Sequence, residues 1–329
     1  MPRKKRAVLC VVLPLLAATV VYGQAPAAFE VPAWAFPAWT TPPPADPHYD
    51  DVVPLAVPGS TVTYTQARLS DMFAAPDWFP GAHPPMPEVV ARGRHPDLLA
   101  CAFCHLPDGT GRPENAALAG LPPEYIRAQV ADMRNHLRRR AWTREPQRSS
   151  ALMQQVAEAV GDAELTAAAN YFSKQPMRRK VEIVESSRVP QTIQMRYIYF
   201  VKEGGGDEPL GRRLIEVPVD SVRHERRDPN VTYRAYVPVG SLARGAALAT
   251  TGAGGRTIAC TTCHGPGLKG SGPFPPLAGR SPSYLLRQLL AFRTGTRNAP
   301  SGAPMRPVVA NLDLDDMIAV SAYAGSLEP

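Results

Sequence analysis

Cysteine is scarce in this chain. Only five of its 329 residues are cysteines, and four of these stand in two short clusters that share one pattern. The fifth, Cys10, lies in an N-terminal stretch that has the pattern of an export signal. Without that stretch, no cysteine is left for a disulfide or for a thiolate metal ligand outside the clusters. A disulfide framework is therefore excluded.

The N-terminus also lacks an apolar run long enough to span a membrane. The apolar stretch, residues 7–21, is about 15 residues long, is interrupted by Pro14, and falls short of the roughly 20 that a spanning helix needs. Basic residues 3–6 precede it, and small residues follow near Gly23. This order predicts a secretory signal over residues 1–23, cleaved near Gly23. The alternative is a segment that is retained as a membrane anchor.

A strong net charge is missing as well. The formal charge is +7, and four of the positive charges belong to the predicted signal, which leaves +3 on the exported chain. Such a balance does not favour binding to nucleic acid, whose phosphates attract strongly basic surfaces. The 306 residues that follow the signal are enough for two domains of ordinary size.

The two cysteine clusters are the pentapeptides Cys101–His105 (CAFCH) and Cys260–His264 (CTTCH). C-x-x-C-H is the attachment motif of a c-type haem, in which both thiols add across vinyl groups of the porphyrin and the histidine binds the iron. The motifs predict two covalently attached haem c groups, whose propionates bring the net charge to about zero. A structural zinc pair is excluded, because 159 residues separate the motifs and each ends in histidine.

An internal repeat surrounds the two motifs. The triplet Leu-Ala-Gly begins 17 positions after the first cysteine of each motif, at Leu118 and at Leu277. A helix is predicted after each triplet, over Pro123–Leu137 and Pro282–Arg293, with proline near its first position. Further pairs at equal distances are Gly111 with Gly270, Tyr125 with Tyr284, and Gln129 with Gln288.

Each copy of the repeat has one methionine at a matching depth. Met153 precedes Tyr171 by 18 residues, and Met305 precedes Tyr323 by 18. Both tyrosines lie on predicted closing helices with the same apolar register. The register is Leu165, Ala168 and Phe172 in one helix, and Met317, Val320 and Ala324 in the other; Asp162 and Asp313 are the predicted caps.

On these residues each half resembles a class I cytochrome c domain, over about residues 88–175 and 240–328. The features are a haem motif near the start, a Leu-x-Gly turn, a helix, a loop with a methionine, and a closing helix with an aromatic residue. The whole chain is similar to exported two-haem cytochromes built from two such domains, with a long insert between them. The resemblance implies haem attachment outside the cytoplasm, in the periplasm.

The resemblance also implies the axial ligands. These would be His105 and Met153 for the first haem, and His264 and Met305 for the second. A methionine is more often a core gap-filler than a ligand, and Met133 is interpreted in that way because it matches an aromatic residue in the repeat. Thioether ligation favours Fe(II), and an iron closed on both faces suits electron transfer rather than bond-making chemistry.

One residue departs from the family pattern. Such domains have a proline two residues before the Leu-x-Gly turn, and its carbonyl accepts the hydrogen bond of the haem-ligating imidazole. The second half has Pro275 there, whereas the first half has Ala116. A backbone carbonyl is still available at Ala116, so we expect the hydrogen bond to survive with less rigidity around it.

The predicted fold is mainly α. Its parts are the signal (1–23), a proline-rich arm (24–58), a first cytochrome c domain (59–175), a β-rich connecting segment (176–239) and a second cytochrome c domain (240–329). Trp34, Phe36 and Trp39 interrupt the arm, which lies on the protein's own surface or else docks a partner. His83 and His95, which lie in loops beside prolines, are not interpreted as ligands.

The β-rich segment has two predicted strands at Val181–Val184 and Met195–Val201, a turn at Gly204–Asp207, and a strand at Arg213–Val217 that returns antiparallel. We interpret it as a ribbon that holds the two domains in a fixed relation; the alternative is a recognition surface for a redox partner.

A basic cluster follows the first Leu-Ala-Gly helix. It is interpreted as a solvated face, with partner docking and pairing with haem propionates as the alternatives. Its members are Arg134, His136, Arg138, Arg139, Arg140, Arg144 and Arg148.

The predicted function is that of a periplasmic electron carrier, without enzyme activity of its own. It would pass electrons from a dehydrogenase or another donor to a respiratory acceptor, such as an oxidase or another cytochrome. The alternative is a two-haem enzyme such as a cytochrome c peroxidase, which needs one iron with an exchangeable face. The methionine in both copies argues against that alternative.

Overall fold

A computed structural model describes residues 29–37, 53–139, 141 and 148–329 of the chain. The predicted signal and Trp39 lie outside this part, and so does most of the predicted proline-rich arm. Residues Val31–Pro329 form one compact unit. The boundaries of the predicted domains stay a prediction. Within the described ranges, no helix combines the length and the apolar character needed to cross a membrane.

The helices of the first half surround the first pentapeptide, which itself forms a helical turn. They are α1 (Gln66–Ser70), α2 (Glu88–Ala91), α3 (Cys101–His105), α4 (Pro123–Arg134), α5 (Arg148–Ala159) and α6 (Asp162–Ser173). The apolar sides of α2 to α6 meet in one core, to which α6 contributes Leu165, Ala168 and Phe172 as its register predicts. Leu69 of α1 packs separately, with Val57 and Trp78. Helix α4 ends three residues before the predicted Leu137, because His136 turns the backbone into the left-handed region at φ 57°.

The β-rich segment follows. Its elements are β1 (Val181–Glu185), β2 (Arg188–Pro190), β3 (Thr192–Met195), β4 (Ile198–Val201), β5 (Asp207–Pro209), β6 (Ile215–Pro218), α7 (Ser221–Glu225) and β7 (Tyr233–Val237). Strands β1, β7 and β6 form a sheet in that order, with β1 parallel and β6 antiparallel to β7. Strand β2 pairs with β5 and β3 pairs with β4, both antiparallel.

Two predictions for this segment are wrong. Residues 195–201 do not form one strand, because Arg196 and Tyr197 turn the chain at φ 50° and 72° and make a tight hairpin of β3 and β4. The strand predicted at Arg213–Val217 does return antiparallel, but its partner is the later strand β7 and not an earlier one. Strand β7 lies between β6 and β1.

The β-rich segment contacts residues on both sides of it in the sequence. Its sheet packs against α10 (Pro282–Arg293) and α12 (Leu314–Ser326), which belong to the second half. Towards the first half, the Trp78 Nε1–H donates to the Arg226 carbonyl at 2.8 Å. Of the arm, Phe36 is buried, and the Tyr199 hydroxyl donates to the Trp34 carbonyl at 2.9 Å. These contacts favour the packing interpretation of the segment and of this part of the arm.

The second half repeats the order of the first. Besides α10 and α12 it contains α8 (Ser241–Thr251), α9 (Thr261–His264) and α11 (Met305–Ala310). The predicted register of α12 is confirmed, since Met317, Val320 and Ala324 are buried. Helix α10 spans the predicted residues, with Pro282 at its first position.

The helix caps differ between the two closing helices. Asp313 caps α12 as predicted, and its side chain accepts a hydrogen bond from the Asp316 N–H at 2.8 Å. The predicted cap at Asp162 is wrong, because this residue is already the first of α6. The cap residue is Gly161, whose N–H donates to the Glu164 side chain at 2.8 Å.

Candidate functional site

The first pentapeptide lines a cavity of about 250 Å³. Cys101, Cys104 and His105 form one part of its wall, and Met153 of α5 lies on the same wall. The other lining side chains are mostly apolar and come from α4, α6 and the Leu-Ala-Gly turn. They include Leu118, Leu121, Ile126, Val130, Leu165 and Phe172.

The second pentapeptide lines a larger cavity of about 790 Å³, within the range typical of cofactor sites. Cys260, Cys263 and His264 share its wall with Met305, the first residue of α11. The wall is again mainly apolar. The structure therefore brings each predicted methionine into the cavity of its own motif, while the axial role of both methionines stays a prediction.

Each motif histidine is held by a backbone carbonyl eleven residues further on. The His105 Nδ1–H donates to the Ala116 carbonyl at 2.8 Å, and the His264 Nδ1–H donates to the Pro275 carbonyl at 2.8 Å. The hydrogen bond expected at Ala116 is thus present without the proline. With Nδ1 as the donor, Nε2 is left with the lone pair that a metal requires. Burial lowers the pKa of both imidazoles, so both are neutral at pH 7.

A glycine at the same position of each repeat makes this hydrogen bond possible. The Gly111 N–H donates to the His105 carbonyl, and the Gly270 N–H donates to the His264 carbonyl, at 3.1 and 2.8 Å. Both glycines have positive φ values, 64° and 88°. A Cβ on Gly111 would lie 2.6 Å from the Ala116 oxygen, which is the acceptor for His105. The repeated glycine therefore keeps the chain close to the histidine.

The donor atoms of both cavities fit a covalently attached haem. All four motif cysteines are free of disulfides and half-buried at the cavity walls, as thioether formation requires. Burial raises the pKa of Cys101 to about 12 and that of Cys260 to about 11, so the free thiols are protonated at neutral pH. An apolar wall, two adjacent thiols, a neutral imidazole and a thioether are the groups that a low-spin haem c would contact.

Polar side chains lie between the two cavities. Tyr125, Gln129, Tyr284 and Gln288 line both of them, together with the apolar Leu121. Arg138, from the first half, reaches across to the second. Its Nη2 donates to the Tyr284 hydroxyl at 2.8 Å and to the Gln288 side-chain oxygen at 3.0 Å.

Arg297 makes the reciprocal contacts. Its Nη2 donates to the Tyr125 hydroxyl at 2.9 Å and to the Gln129 side-chain oxygen at 2.7 Å, both in the first half. Burial alone would raise the pKa of Tyr125, but the charges of Arg297 and Arg138 outweigh it and lower the pKa. Sequence reasoning missed this exchange, although both arginines lie 37 positions after the first cysteine of their motif.

The basic cluster is therefore not one solvated face. Arg138 is half-buried between the halves, and Arg134 donates to the carbonyls of Ala157 and Val160 at 2.7 and 2.9 Å. His136 and Arg139 are exposed. Arg140, Arg144 and the side chain of Arg148 lie outside the described residues.

His83 and His95, which are not interpreted as iron ligands, contact other side chains. The His83 side chain is only 5% exposed, with its Nε2 3.1 Å from an Asp77 carboxylate oxygen and its Nδ1 3.1 Å from the Tyr171 hydroxyl. The hydrogen bond to Asp77 raises the pKa of His83. His95 stacks on Phe73 at 3.7 Å between ring centroids. His83 is thus not a surface residue, as residues beside prolines usually are.

Comparison with known proteins gives a consistent result. Residues 242–328 match the family model described as Cytochrome c. A protein of Stutzerimonas stutzeri, named thiosulfate dehydrogenase electron acceptor, is 29% identical over 235 residues, which are 70% of this chain and 80% of the relative. Cytochrome c-554(547) of Halothiobacillus neapolitanus is 34% identical over 87 residues, which are 23% of this chain and 96% of the relative.

A solved structure of the thiosulfate dehydrogenase of Marichromatium purpuratum is 27% identical, with a TM-score of 0.47. The match covers 70% of this chain and 37% of that one, so this chain spans little more than a third of the solved protein.

The family match begins at Leu242 in α8 and includes the second pentapeptide, His264 and Met305. The Halothiobacillus relative is matched over almost its whole length, at an identity above 30%. The sequence motif, the cavity and these relatives agree. The chain belongs to the cytochrome c family, whose haem is covalently bound.

Proposed function

We propose that this chain is a periplasmic two-haem cytochrome that transfers electrons and holds each iron between a histidine and a methionine. One observation carries the proposal: each C-x-x-C-H motif shares its cavity with one methionine and has its histidine fixed by a carbonyl. The arrangement occurs twice, at matching positions of a repeat. Repetition at this level of detail favours two sites of the same kind.

In this proposal the protein orients and closes the sites, while bound haem supplies one-electron chemistry. The carbonyls of Ala116 and Pro275 fix the rotation of His105 and His264 and increase the basicity of the imidazoles. Met153 and Met305 would supply the second protein ligand of each iron. Because the walls are apolar, little water would have to reorient around the haem when its charge changes.

The arginines between the cavities are suited to the haem propionates. Arg138 lines the first cavity and Arg297 lines the second. Guanidinium groups bind carboxylates through charge-assisted hydrogen bonds. We therefore assign Arg138 and Arg297 to the propionate sides of the two haems, which gives one member of the basic cluster a role in haem binding.

The electron donor is proposed from the relatives. The Stutzerimonas relative is named as the electron acceptor of a thiosulfate dehydrogenase, and it matches 70% of this chain. A periplasmic dehydrogenase, such as one that oxidises thiosulfate, is therefore the proposed donor. An oxidase or another cytochrome is the proposed acceptor.

A two-haem peroxidase is the second candidate. Peroxide can bind only at an iron with an exchangeable face, whereas each cavity of this chain contains a methionine. This observation favours an electron carrier over a peroxidase.

Spectroscopy of the purified protein tests the proposal. We expect two haems per chain by pyridine haemochrome assay, and in the oxidised protein a near-infrared sulfur–iron charge-transfer band for each haem without high-spin features. One haem per chain would overturn the two-haem assignment. A high-spin haem that binds peroxide would favour the enzyme.

A further inference from the structure

Part of the β-rich segment packs on the first haem motif. The guanidinium carbon of Arg227 lies 3.6 Å from the centroid of the Phe103 ring, and Nη1 donates to the Phe103 carbonyl at 2.9 Å. Phe103 stands between the two cysteines of the first pentapeptide. Arg227 has a φ of 58°, a conformation that costs energy for a residue with a side chain. The fold thus holds this cation against the segment that attaches the first haem.

Three neighbouring arginines are neutralised by carboxylates. Arg112 pairs with Glu114 at 2.9 Å, Arg223 pairs with Asp228 at 2.6 Å, and Arg196 pairs with Glu225. His224 is buried, and burial lowers its pKa well below 6.5, so it adds no charge at pH 7.

Arg227 is different from these neighbours. In the part of the chain that the structure describes, it takes part in no ion pair, and its Nε has no hydrogen-bond partner. One positive charge therefore remains uncompensated beside the motif.

We propose that Arg227 selectively raises the reduction potential of the first haem. The inference rests on the proposed two-haem function. A ferric haem carries one more positive charge than a ferrous haem, so a fixed cation nearby disfavours oxidation. The second motif has Thr262 at the position of Phe103, and threonine offers no ring on which a guanidinium could stack. The inserted segment thus favours electron transfer from the second haem to the first.

The test is a spectroelectrochemical titration of the holoprotein, with haem methyl signals in proton NMR reporting each haem separately. We expect Arg227→Met to lower the potential of the first haem and to leave that of the second unchanged. Arg227→Lys retains the charge and should keep most of the wild-type potential. Arg234→Met is the matched control, because Arg234 lies in the same segment, paired with Glu182 at 2.9 Å and exposed, and it should change neither potential.

An unchanged first potential in Arg227→Met, with both haems and both sulfur–iron bands intact, would overturn the proposal. A decrease in Arg227→Lys as large as in Arg227→Met would also overturn it, because packing rather than charge would then be the cause. If Arg227→Met does not fold, Arg227→Gln replaces it and keeps an N–H donor for the Phe103 carbonyl. Failure of the two-haem function itself would be seen separately, as one haem or a high-spin haem in the unmutated protein.

Discussion

The second half of the chain begins with the eleven-residue helix α8, whereas the first half has only the four-residue helix α2 at the equivalent place. Helix α8 crosses α12 so closely that a Cβ on Gly245 would lie 2.1 Å from the Ala319 carbonyl oxygen. Prolines at positions 80, 84, 85 and 87 prevent such a helix in the first half. Both halves nevertheless enclose their motif in a cavity. The shared elements after the motif therefore suffice to build the site.

The connections to the rest of the molecule also differ. The β-rich segment covers the first motif through Arg227. The stretch from the motif to its methionine is seven residues longer in the first half than in the second. The second half has the larger cavity and matches the family model over residues 242–328. If both proposed haems are bound, these unequal surroundings predict two haems with the same ligand types and different reduction potentials.

The largest expected effect concerns the methionines. Met153→Ala should abolish the sulfur–iron band of the first haem only, and Met305→Ala that of the second only, each with a fall in the potential of that haem, because a ligand that favours Fe(II) is lost. Near-infrared spectra and redox titrations measure both effects. Met133→Leu is the control, since Met133 lines the first cavity but matches Phe292 in the repeat. If the sulfur–iron band of the first haem persisted in Met153→Ala, the two halves would not use equivalent methionines as ligands.

The closing helices should respond unequally to loss of their capping carboxylates. Asp316 is 1% exposed and accepts hydrogen bonds from Arg244 at 2.8 Å and from Arg256. Its counterpart Glu164 is about one-third exposed and contacts Arg94 at 3.3 Å. We expect Asp316→Asn to lower the free energy of unfolding by about 3 kcal/mol, and Glu164→Gln by about 0.5 kcal/mol. Urea titrations followed by circular dichroism measure both; equal effects would contradict the difference in burial.

The Asp316 carboxylate also makes the free energy of unfolding depend on pH. Burial alone would raise the pKa of Asp316, but hydrogen bonds from Arg256 and Arg244 lower it below 3.8. A lowered pKa in the folded state means that the ionised group stabilises the protein above pH 3.8, and that this contribution is lost as the pH falls through the folded pKa. Asp316→Asn should lack this part of the acid dependence. Urea titrations at neutral pH and at about pH 3 compare the two proteins.

The sequence predicts local features well and long-range pairings poorly. The motifs, α10, and the registers of α6 and α12 depend on residues within a few turns of one another, and all are found. The antiparallel pairing of β6 with β7 depends on contacts across the sheet, and the turn at Arg196–Tyr197 contains neither glycine nor asparagine to indicate it. The sequence pattern wrongly assigns Arg138 to a solvated face because its partners in the second half lie about 150 residues away in the sequence. Its match with Arg297 in the repeat was the available signal.

The repeated glycines should differ in importance. A Cβ on Gly111 would lie 2.6 Å from the Ala116 oxygen, whereas a Cβ on Gly270 would lie 3.0 Å from the nearest atom, the Pro276 nitrogen. Both substitutions force alanine into a positive φ. We expect Gly111→Ala to cost about 2 kcal/mol and Gly270→Ala about 1 kcal/mol of unfolding free energy. Gly204→Ala, at φ 65° with open space around it, is the control for the backbone cost alone. A larger cost at Gly270 would reverse this comparison.

The smallest expected difference between the halves concerns a contact that each half makes to the other at matching positions of the repeat. Tyr284→Phe removes an acceptor of Arg138, and Tyr125→Phe removes an acceptor of Arg297, while glutamine acceptors remain for both arginines. Each change should cost about 1 kcal/mol in urea unfolding, and the cost of the double variant should differ from the sum, because Gln129 and Gln288 each accept hydrogen bonds from both arginines. Arg297 is the more deeply buried arginine, so Tyr125→Phe should be the costlier change. If Tyr284→Phe left the free energy of unfolding unchanged while Tyr125→Phe lowered it, only the contact of Arg297 would stabilise the protein. The two contacts would then be equivalent in the sequence repeat but not in their contribution to stability.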